Sequence, residues 1–260
     1  MIVDCHTHIT CLSSKVDIAE HLEACEKIDA CFVLAVRQGG NADANQQVSD
    51  YAKQYRKMIG FGVVNPLEDK IAAKSVRTSI VDRGLTGAVL YCCQEKFHPA
   101  HSRAMRFYEA AEELGLVVFF HNSRSFGSDA ILDYAQPYLL DEIAIKFPSL
   151  KIIIGGMGLP FVSQTLCLLA KHENVYADMT ISPRKVWEVY NLVVNAYEAG
   201  VMDKLLFGSG YPTCLPGNCM ETLLGFNKLL ADTNLPAVPR ERLRSIVERD
   251  TLTLLGISLP

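Results

Sequence analysis

The sequence predicts an α/β fold of the (β/α)₈ type, a closed barrel of parallel strands forming one domain over residues 1–260. Three observations predict it. The length of 260 residues suits a single large core, short apolar segments alternate with helical ones, and the apolar segments number eight. Their apolar character is continuous rather than alternating, which is typical of parallel strands buried on both faces.

The predicted strands are short and rich in β-branched residues. They span 2–5, 31–36, 58–64, 87–91, 116–120, 151–155, 174–178 and 204–208. The segments between them show the helical period, as in DIAEHLEACEKI, ANQQVSDYAKQYRK, HSRAMRFYEAAEEL and AILDYAQPYLLDEIAIKF. The stretch 212–217 and a final helix over about 239–255 are expected to cap one end. The alternative is an open doubly wound sheet, but a Gly-rich phosphate turn would then follow the first strand, where this chain has His-Thr-His.

Composition and charge restrict the classes of partner. The formal net charge is -4, which gives no electrostatic footprint for nucleic acid or for an anionic membrane surface. No segment reaches the length that spans a bilayer, and the N-terminus shows no leader pattern. The nine cysteines are scattered through apolar segments, with Cys31, Cys92 and Cys167 expected in or near the core. We therefore expect a cytoplasmic protein that acts on a small molecule, with homo-oligomerisation left open.

Histidines stand at the ends of two predicted strands. In a barrel of this kind the carboxyl ends of the strands build the site. The first strand ends in Asp4-Cys5-His6-Thr7-His8, and the two-residue period of a strand turns His6 and His8 to the same side. The fifth strand ends in His121. A lone histidine is more often a hydrogen-bonded structural group, but three at matching strand ends predict a metal site, with Zn²⁺ as the expected ion.

Several motifs along the chain resemble those of a known family. They are DCHTH at 4–8, FFHNS at 119–123, KIIIGGMGLPF at 151–161, NVYADMT at 174–180, LLFGSGYP at 205–212 and the closing VERDTLTLLGI. The chain resembles the amidohydrolase superfamily, in the branch related to 2-amino-3-carboxymuconate semialdehyde decarboxylase, the resorcylate decarboxylases and the 2-pyrone-4,6-dicarboxylate lactonases. The resemblance implies a barrel fold, a bound divalent metal and a small carboxylated substrate.

Two positions depart from the family pattern. Gly156 stands where relatives carry a histidine after the sixth strand, and Gly210 where they carry an aspartate after the eighth. The resemblance implies that the aspartate is a metal ligand or the base that takes a proton from water, and that the histidine polarises the substrate or completes the site. Both replacements remove every side-chain atom and are expected to open room at the rim, which a substrate or a neighbouring side chain could occupy.

Five residues near strand ends are candidates to replace the missing groups. We expect catalytic roles for Asp178 and Arg124, and substrate contacts from Arg37, Glu95 and Tyr211. The arginines could clamp a carboxylate bidentately, although a loop arginine is more often solvated or in a surface ion pair. Asp178 could be a substitute metal ligand or base, although a strand-end aspartate often caps the next helix.

Other reactive groups lie close to the same strand ends. Asp4 is expected to support the histidines from one step deeper in the barrel. Cys5, Cys92 and Cys93 could be nucleophiles, but no histidine is fixed beside them by sequence, and buried thiols are usually inert.

The sequence leaves three functions open. The first is a metal-dependent hydrolase-like enzyme acting on a small carboxylated molecule. The second is a non-oxidative decarboxylase of the same superfamily, which needs a proton donor. The third is a non-catalytic barrel, a pseudoenzyme that binds a metabolite or a protein partner.

Overall fold

Eight parallel strands follow one another around the sheet in chain order. The structure is a computed structural model that describes residues 1–9, 11–37, 43–122 and 126–258. The strands are β1 Val3–Thr7, β2 Ala30–Leu34, β3 Met58–Val63, β4 Gly87–Leu90, β5 Val117–Phe120, β6 Lys151–Ile154, β7 Val175–Asp178 and β8 Leu205–Leu206. Each falls within or overlaps a predicted strand. The predicted (β/α)₈ barrel is confirmed.

Helices separate the strands. They are α1 Lys15–Ala24, α2 Ala44–Gln54, α3 Ala73–Ser79, α4 Ser102–Glu113, α5 Asp141–Lys146, α6 Val162–Lys171, α7 Val186–Glu198, α8 Pro216–Gly225, α9 Arg240–Glu248 and α10 Thr251–Leu255. Side-chain caps fix several starts. Ser14 accepts a hydrogen bond from the Asp17 amide, at 3.2 Å. Asp43 accepts one from the Gln46 amide, at 3.1 Å. These caps satisfy amides that have no partner within the helix.

Two predicted helices are wrong in extent. The segment predicted as one helix over 130–147 contains two short 3₁₀ helices, Leu132–Ala135 and Pro137–Leu140, before α5. Pro137 lacks an amide proton and cannot continue the hydrogen bonds of a preceding helix, so the first 3₁₀ helix ends before Pro137 and the second begins there. The final helix is divided into α9 and α10, because Asp250 begins a new helix by accepting from the Thr253 amide at 3.2 Å. Cys167 is also a correction: it lies on an exposed face of α6, whereas Cys31 and Cys92 are buried as predicted.

A layer of buried phenylalanine rings in the core reaches as far as His6. The rings of Phe32 and Phe61 have centroids 4.8 Å apart, and Phe61 and Phe119 are 6.5 Å apart. The His6 ring meets Phe119 edge-on at 5.2 Å. These three phenylalanines are fully buried. His6 therefore rests on a packed aromatic layer rather than in a mobile loop.

The first strand closes against the segment that follows the last. The Cys5 amide donates to the Phe207 carbonyl at 2.9 Å, the Gly210 amide to His6 at 2.9 Å, and the His8 amide to Tyr211 at 2.8 Å. The ring of strands is thereby nearly closed, and the two histidines of the first strand lie beside 207–211. Within the described residues, no helix has the length and apolarity needed to cross a membrane.

Candidate metal centre

Three histidines meet at the carboxyl end of the barrel. His6 lies in β1, His8 follows β1, and His121 follows β5. The ring centroids are 5.2 Å apart for His6 and His8, 5.0 Å for His6 and His121, and 5.2 Å for His8 and His121. One ring nitrogen from each lies within 4.8 Å of the others. Over the part of the chain that the structure describes, this is the group of side chains with the geometry to hold a metal ion.

Oxygen atoms behind two of the imidazoles fix their orientation. His6 Nδ1 lies 3.1 Å from Asp178 Oδ2 and 2.9 Å from Thr180 Oγ1. His8 Nδ1 lies 3.1 Å from the Leu34 carbonyl oxygen. A protonated Nδ1 donates in each case, which leaves the Nε2 lone pair free. Histidines that bind metals commonly donate their other ring nitrogen in this way.

Asp178 is the carboxylate that holds His6. Its Oδ2 accepts from the Gly156 amide at 2.8 Å, its Oδ1 from the Thr180 amide at 2.8 Å, and the Thr180 hydroxyl also donates to Oδ1. Burial alone would raise its pKa, but His6 and the hydrogen bonds from Thr180 and Gly156 outweigh burial and hold the pKa below the usual value. Asp178 is thus an ionised group placed behind His6, outside the three-histidine group.

Burial favours the neutral form of His8 and of His121. Burial lowers the pKa of His8 to about 3, with His6 adding to the effect. Burial also lowers the pKa of His121 well below its usual value. His121 Nδ1 is buried and has no hydrogen-bond partner in the described structure, and such an unpaired atom is costly. Neutral imidazoles are the form that binds metals, so these residues fit a Zn²⁺-like cation with three nitrogen ligands and an open position.

A cavity of about 480 Å³ opens over the histidines. Its size lies in the range of sites for small organic ligands. Much of its wall is apolar or uncharged, including Tyr91, Leu159 and Ile181. Among the lining residues that the structure describes, Arg37 and Glu95 are the basic and acidic side chains apart from the three imidazoles.

Both unusual glycines line this cavity in left-handed backbone conformations. Gly156 has φ +54° and Gly210 has φ +69°. A Cβ at position 210 would lie 2.7 Å from Thr180 Cγ2, whereas a Cβ at position 156 would meet nothing closer than 3.6 Å. The room expected beside Gly210 is therefore partly taken by the Thr180 methyl group. At both positions the backbone itself favours glycine.

Arg37 and Glu95 form part of a charged cluster at the mouth. Arg37 contacts Glu68 at 2.9 Å, Asp69 more closely, and Glu95 through Nε to Oε1 at 3.5 Å. Glu95 Oε2 is buried without a hydrogen-bond partner. Burial raises the pKa of Glu95 to about 7; Arg37 opposes the shift, and Glu68 and Asp69 add to it. The structure brings both predicted residues to the cavity wall.

Tyr211, a third predicted substrate contact, lies elsewhere. Tyr211 packs on His21, with ring centroids 5.0 Å apart, and is not among the residues that line the cavity. Arg124 falls outside the described residues. Asp4 Oδ1 accepts from the amides of His6 at 3.2 Å and Ser209 at 2.9 Å, beneath the histidines as expected.

The three cysteines near the strand ends are poor nucleophiles. Burial raises the pKa of Cys5 and Cys92 well above the usual value, and that of Cys93 to about 11. A high pKa keeps the thiol protonated at neutral pH, and the thiolate is the nucleophilic form. All nine cysteines are free.

Sequence reasoning missed Thr180 and Cys214, which both line the cavity. The sequence did contain a pattern that predicts Thr180 beside Asp178. Thr180 lies two positions after Asp178, and the alternation that pairs His6 with His8 also pairs these two residues. Nothing in the sequence pointed to Cys214.

A (β/α)₈ barrel with three strand-end histidines over a small cavity defines a class of metal-site barrels. Within that class, a family model described as amidohydrolase matches residues 3–248, so the chain belongs to the amidohydrolase family. A search of curated proteins found no match.

Solved structures with this fold cover nearly the whole chain at low sequence identity. An uncharacterised TIM-barrel protein from Bordetella bronchiseptica has a TM-score of 0.71 at 18% identity, covering 98% of each chain. A probable 2-pyrone-4,6-dicarboxylic acid hydrolase from Acinetobacter baumannii has 0.66 at 15%, covering 98% of this chain and 99% of that one. The 5-carboxyvanillate decarboxylase from Sphingomonas paucimobilis has 0.68 at 12%, covering 99% of each. At these identities the likeness shows the fold.

Proposed function

We propose that the protein is a metal-dependent hydrolase of a small, carboxylated organic molecule, with His6, His8 and His121 holding Zn²⁺. The observation that carries the proposal is the meeting of three histidine nitrogens within 4.8 Å of one another at the base of a cavity. Membership of the amidohydrolase family supports it. The free cysteines support a reducing compartment, and we place the protein in the cytoplasm.

The protein's own residues would hold and orient the reactants. Asp178 and Thr180 fix His6, the Leu34 carbonyl fixes His8, and the apolar wall around Tyr91 and Leu159 limits access of bulk water. A divalent cation, when bound, polarises a substrate oxygen and makes water a stronger acid. The carboxylated substrate class is supported by the names of two structural neighbours, which act on a dicarboxylic acid and on a carboxyvanillate.

Non-oxidative decarboxylation is a second candidate. The observation that favours it is Glu95, a cavity-lining carboxyl whose pKa burial raises to about 7. Such a group is partly protonated at neutral pH and could donate the proton that replaces carbon dioxide on the substrate carbon.

The metal content of protein purified without chelator tests the proposal. We expect up to one zinc per chain by elemental analysis, and loss of that zinc in His6→Ala, His8→Ala and His121→Ala. His101→Ala is a matched control, because His101 lies at the start of α4, outside the cavity. Near-zero metal after expression in zinc-supplemented medium would contradict the proposal and favour a non-catalytic barrel.

Turnover separates the two reactions. Zinc-loaded protein is assayed on activated esters and lactones with and without a carboxylate, and on carboxylated aromatics for release of carbon dioxide. Hydrolysis without carbon dioxide supports the first candidate, and carbon dioxide release supports the second.

A further inference from the structure

The cavity holds one carboxyl group among its described lining residues. That group is Glu95, which lies after β4 and reaches the same cavity as the three histidines. Asp178 is fully buried behind His6, where its oxygens accept hydrogen bonds from Gly156 and Thr180. Asp178 therefore serves as the hydrogen-bond partner that orients His6. Glu95 is the acid left to act on a bound molecule.

Arg37 is already occupied by acidic partners. Its guanidinium contacts Glu68 at 2.9 Å, Asp69 more closely, and Glu95 at 3.5 Å. Three carboxylates around one guanidinium satisfy its charge and much of its donor capacity. An incoming carboxylate would have to displace an existing partner and approach the others, which repel it. Arg37 is therefore a poor receptor for a substrate carboxylate.

Only one of the two Glu95 carboxyl oxygens has a partner among the described residues. Its Oε1 faces Arg37 Nε, while its Oε2 is buried and has no hydrogen-bond partner in the described structure. A buried oxygen without a donor does not stabilise a negative charge, whereas a carboxylic acid can carry its proton there. The carboxyl can accordingly exist in both protonation states within the wall of the cavity.

We propose that Glu95 is the proton-transfer residue of this cavity and that Arg37 is its positioning residue, rather than a receptor for a substrate carboxylate. The proposal rests on the proposed hydrolytic function. Gly210 has no side chain that could transfer a proton at the position where the family resemblance implies an aspartate. Glu95, after the fourth strand, would supply that carboxyl instead.

The step conserves atoms and charge. As a water oxygen forms its bond to the acyl carbon of an ester, the ionised Glu95 carboxyl takes one proton of that water. As the bond between the acyl carbon and the leaving oxygen breaks, Glu95 returns the proton to that oxygen. An acid and an alcohol are released, and the carboxyl is regenerated.

The charges around Glu95 place its titration in the useful range. Burial raises the pKa of Glu95 to about 7; Arg37 opposes this, and Glu68 and Asp69 reinforce it. From its own strand end, Tyr91 and Cys92 face it as uncharged groups, because burial raises the pKa of both well above their usual values. A proton-transfer group works best when its pKa lies near the working pH.

Kinetics of zinc-loaded protein on two probes test the proposal. The probes are 4-nitrophenyl acetate and the carboxylated mono-4-nitrophenyl glutarate. We expect Glu95→Gln to lower kcat by about 10²–10⁴-fold on both, with zinc content unchanged. Glu248→Gln is the matched control, because it removes a carboxylate from the exposed pair with Arg244, outside the cavity, and should keep kcat near wild type.

Arg37→Gln distinguishes the two roles of the arginine. Since Arg37 opposes the rise in the pKa of Glu95, its removal should move the rising limb of the pH profile of kcat to higher pH. It should also leave the ratio of KM values for the two probes unchanged. A rise in KM confined to the carboxylated probe, with an unmoved pH limb, would overturn the assignment of Arg37.

A spectroscopic measurement on metal-free protein gives a second readout. Carbon-13 NMR of glutamate carboxyls should show one signal that titrates near pH 7 and disappears in Glu95→Gln. A Glu95 signal that titrates near the ordinary glutamate value, or full activity in Glu95→Gln, would overturn the role of Glu95 while leaving the metal site intact. If zinc-loaded wild type has no turnover, the hydrolytic function fails, and the role of Glu95 fails with it.

Discussion

Thr180 connects several groups of the site through one small side chain. Its hydroxyl donates to Asp178 and lies 2.9 Å from His6 Nδ1, while its methyl carbon would lie only 2.7 Å from a Cβ at position 210. The residue has a positive φ of 37°, which is uncommon for a side chain branched at Cβ and costs conformational free energy. The cost is offset by contacts that hold the carboxylate and the imidazole together.

Asp178→Asn should weaken metal binding. The amide keeps the shape of the side chain but removes the negative charge that orients and polarises His6. Loss of such a supporting group typically lowers metal affinity by about 10–100-fold. Zinc affinity would be measured by competition with a chromogenic chelator.

The matched control is Asp141→Asn, because Asp141 forms a similar pair with His172 at 2.6 Å, outside the cavity. Equal zinc affinities for wild type and Asp178→Asn would show that His6 needs no carboxylate behind it.

Gly210→Asp should destabilise the protein, and Thr180→Ser should relieve part of the effect. The positive φ and the 2.7 Å approach to Thr180 Cγ2 predict a loss of about 1–3 kcal/mol in the free energy of unfolding. Serine keeps the hydroxyl and removes the methyl group. Urea unfolding of the two single variants and the double variant measures the coupling.

Gly217→Ala serves as the comparison for Gly210→Asp, because a Cβ built at position 217 has no atom within 4 Å apart from its chain neighbours and the backbone of its own helix. Strictly additive effects at positions 180 and 210 would show that the methyl group does not determine the residue at 210.

Residues on one strand were predictable, and residues paired across loops were not. The alternation of β1 predicts that His6 and His8 share a side, and strand counting brings His121 to the same end. The partners of Arg37 come from separate loops after β3 and β4, and no local periodicity encodes their distance. The conformations of Gly156 and Gly210 likewise depend on neighbours distant in sequence.

At the scale of elements, Asn174 joins three segments at the amino ends of β6 and β7. Its Nδ2 donates to the carbonyls of Phe147 at 2.9 Å and Leu150 at 3.0 Å, with Ala144 at 3.5 Å. These carbonyls lie at the end of α5 and before β6, while Asn174 itself precedes β7. One buried amide thus sets how α5 approaches the two strands.

Asn174→Ala should lower the free energy of unfolding by about 1–3 kcal/mol, because buried carbonyls would lose their donor. Thermal unfolding followed by circular dichroism measures the change. Asn191→Ala is the matched control, since Asn191 donates to the Trp187 carbonyl within an exposed turn of α7. A loss no larger than the control's would mean that water replaces the amide without cost.

The helices illustrate the same limit of sequence reasoning. Periodicity located them, but the start of α5 depends on Pro137 and the division of α9 from α10 on local bonds. Arg249, between α9 and α10, donates to the Leu205 carbonyl at 3.2 Å and to Met202 at 3.0 Å. A contact between residues more than forty positions apart cannot be read from a helical period.

At the scale of the whole molecule, Glu95 makes stability depend on pH. In the unfolded chain it ionises near its ordinary value of 4.5, whereas the folded protein retains the proton up to about pH 7. The folded state binds more protons between these values, so the free energy of unfolding contributed by this group falls as pH rises through that window. Below about pH 4.5 the contribution is fully present.

Glu95→Gln removes this dependence. Relative to the variant, the wild type should lose up to about 3 kcal/mol of unfolding free energy between pH 4.5 and 7. Urea unfolding at several pH values, in the presence of a chelator, gives the difference. Glu68→Gln separates this effect from simple loss of an ion pair with Arg37. A constant difference between wild type and Glu95→Gln across the window would contradict the prediction.

The closure of the first strand against the segment after the last has a consequence for biosynthesis. The Asp4 carboxylate accepts a hydrogen bond from the amide of Ser209, which lies 205 positions later, and His6 contacts Asp178, 172 positions later. Neither contact can form until the later residue has been synthesised. At a translation rate of about 5–20 residues per second, the emerging histidines spend about 10–40 s without their partners. During that time β1 has no completed barrel to join, and non-local pairing of this kind is slow. Assembly of the three-histidine group is accordingly a late event, and a nascent chain that ends before residue 178 carries its three histidines without the Asp178 carboxylate that orients His6.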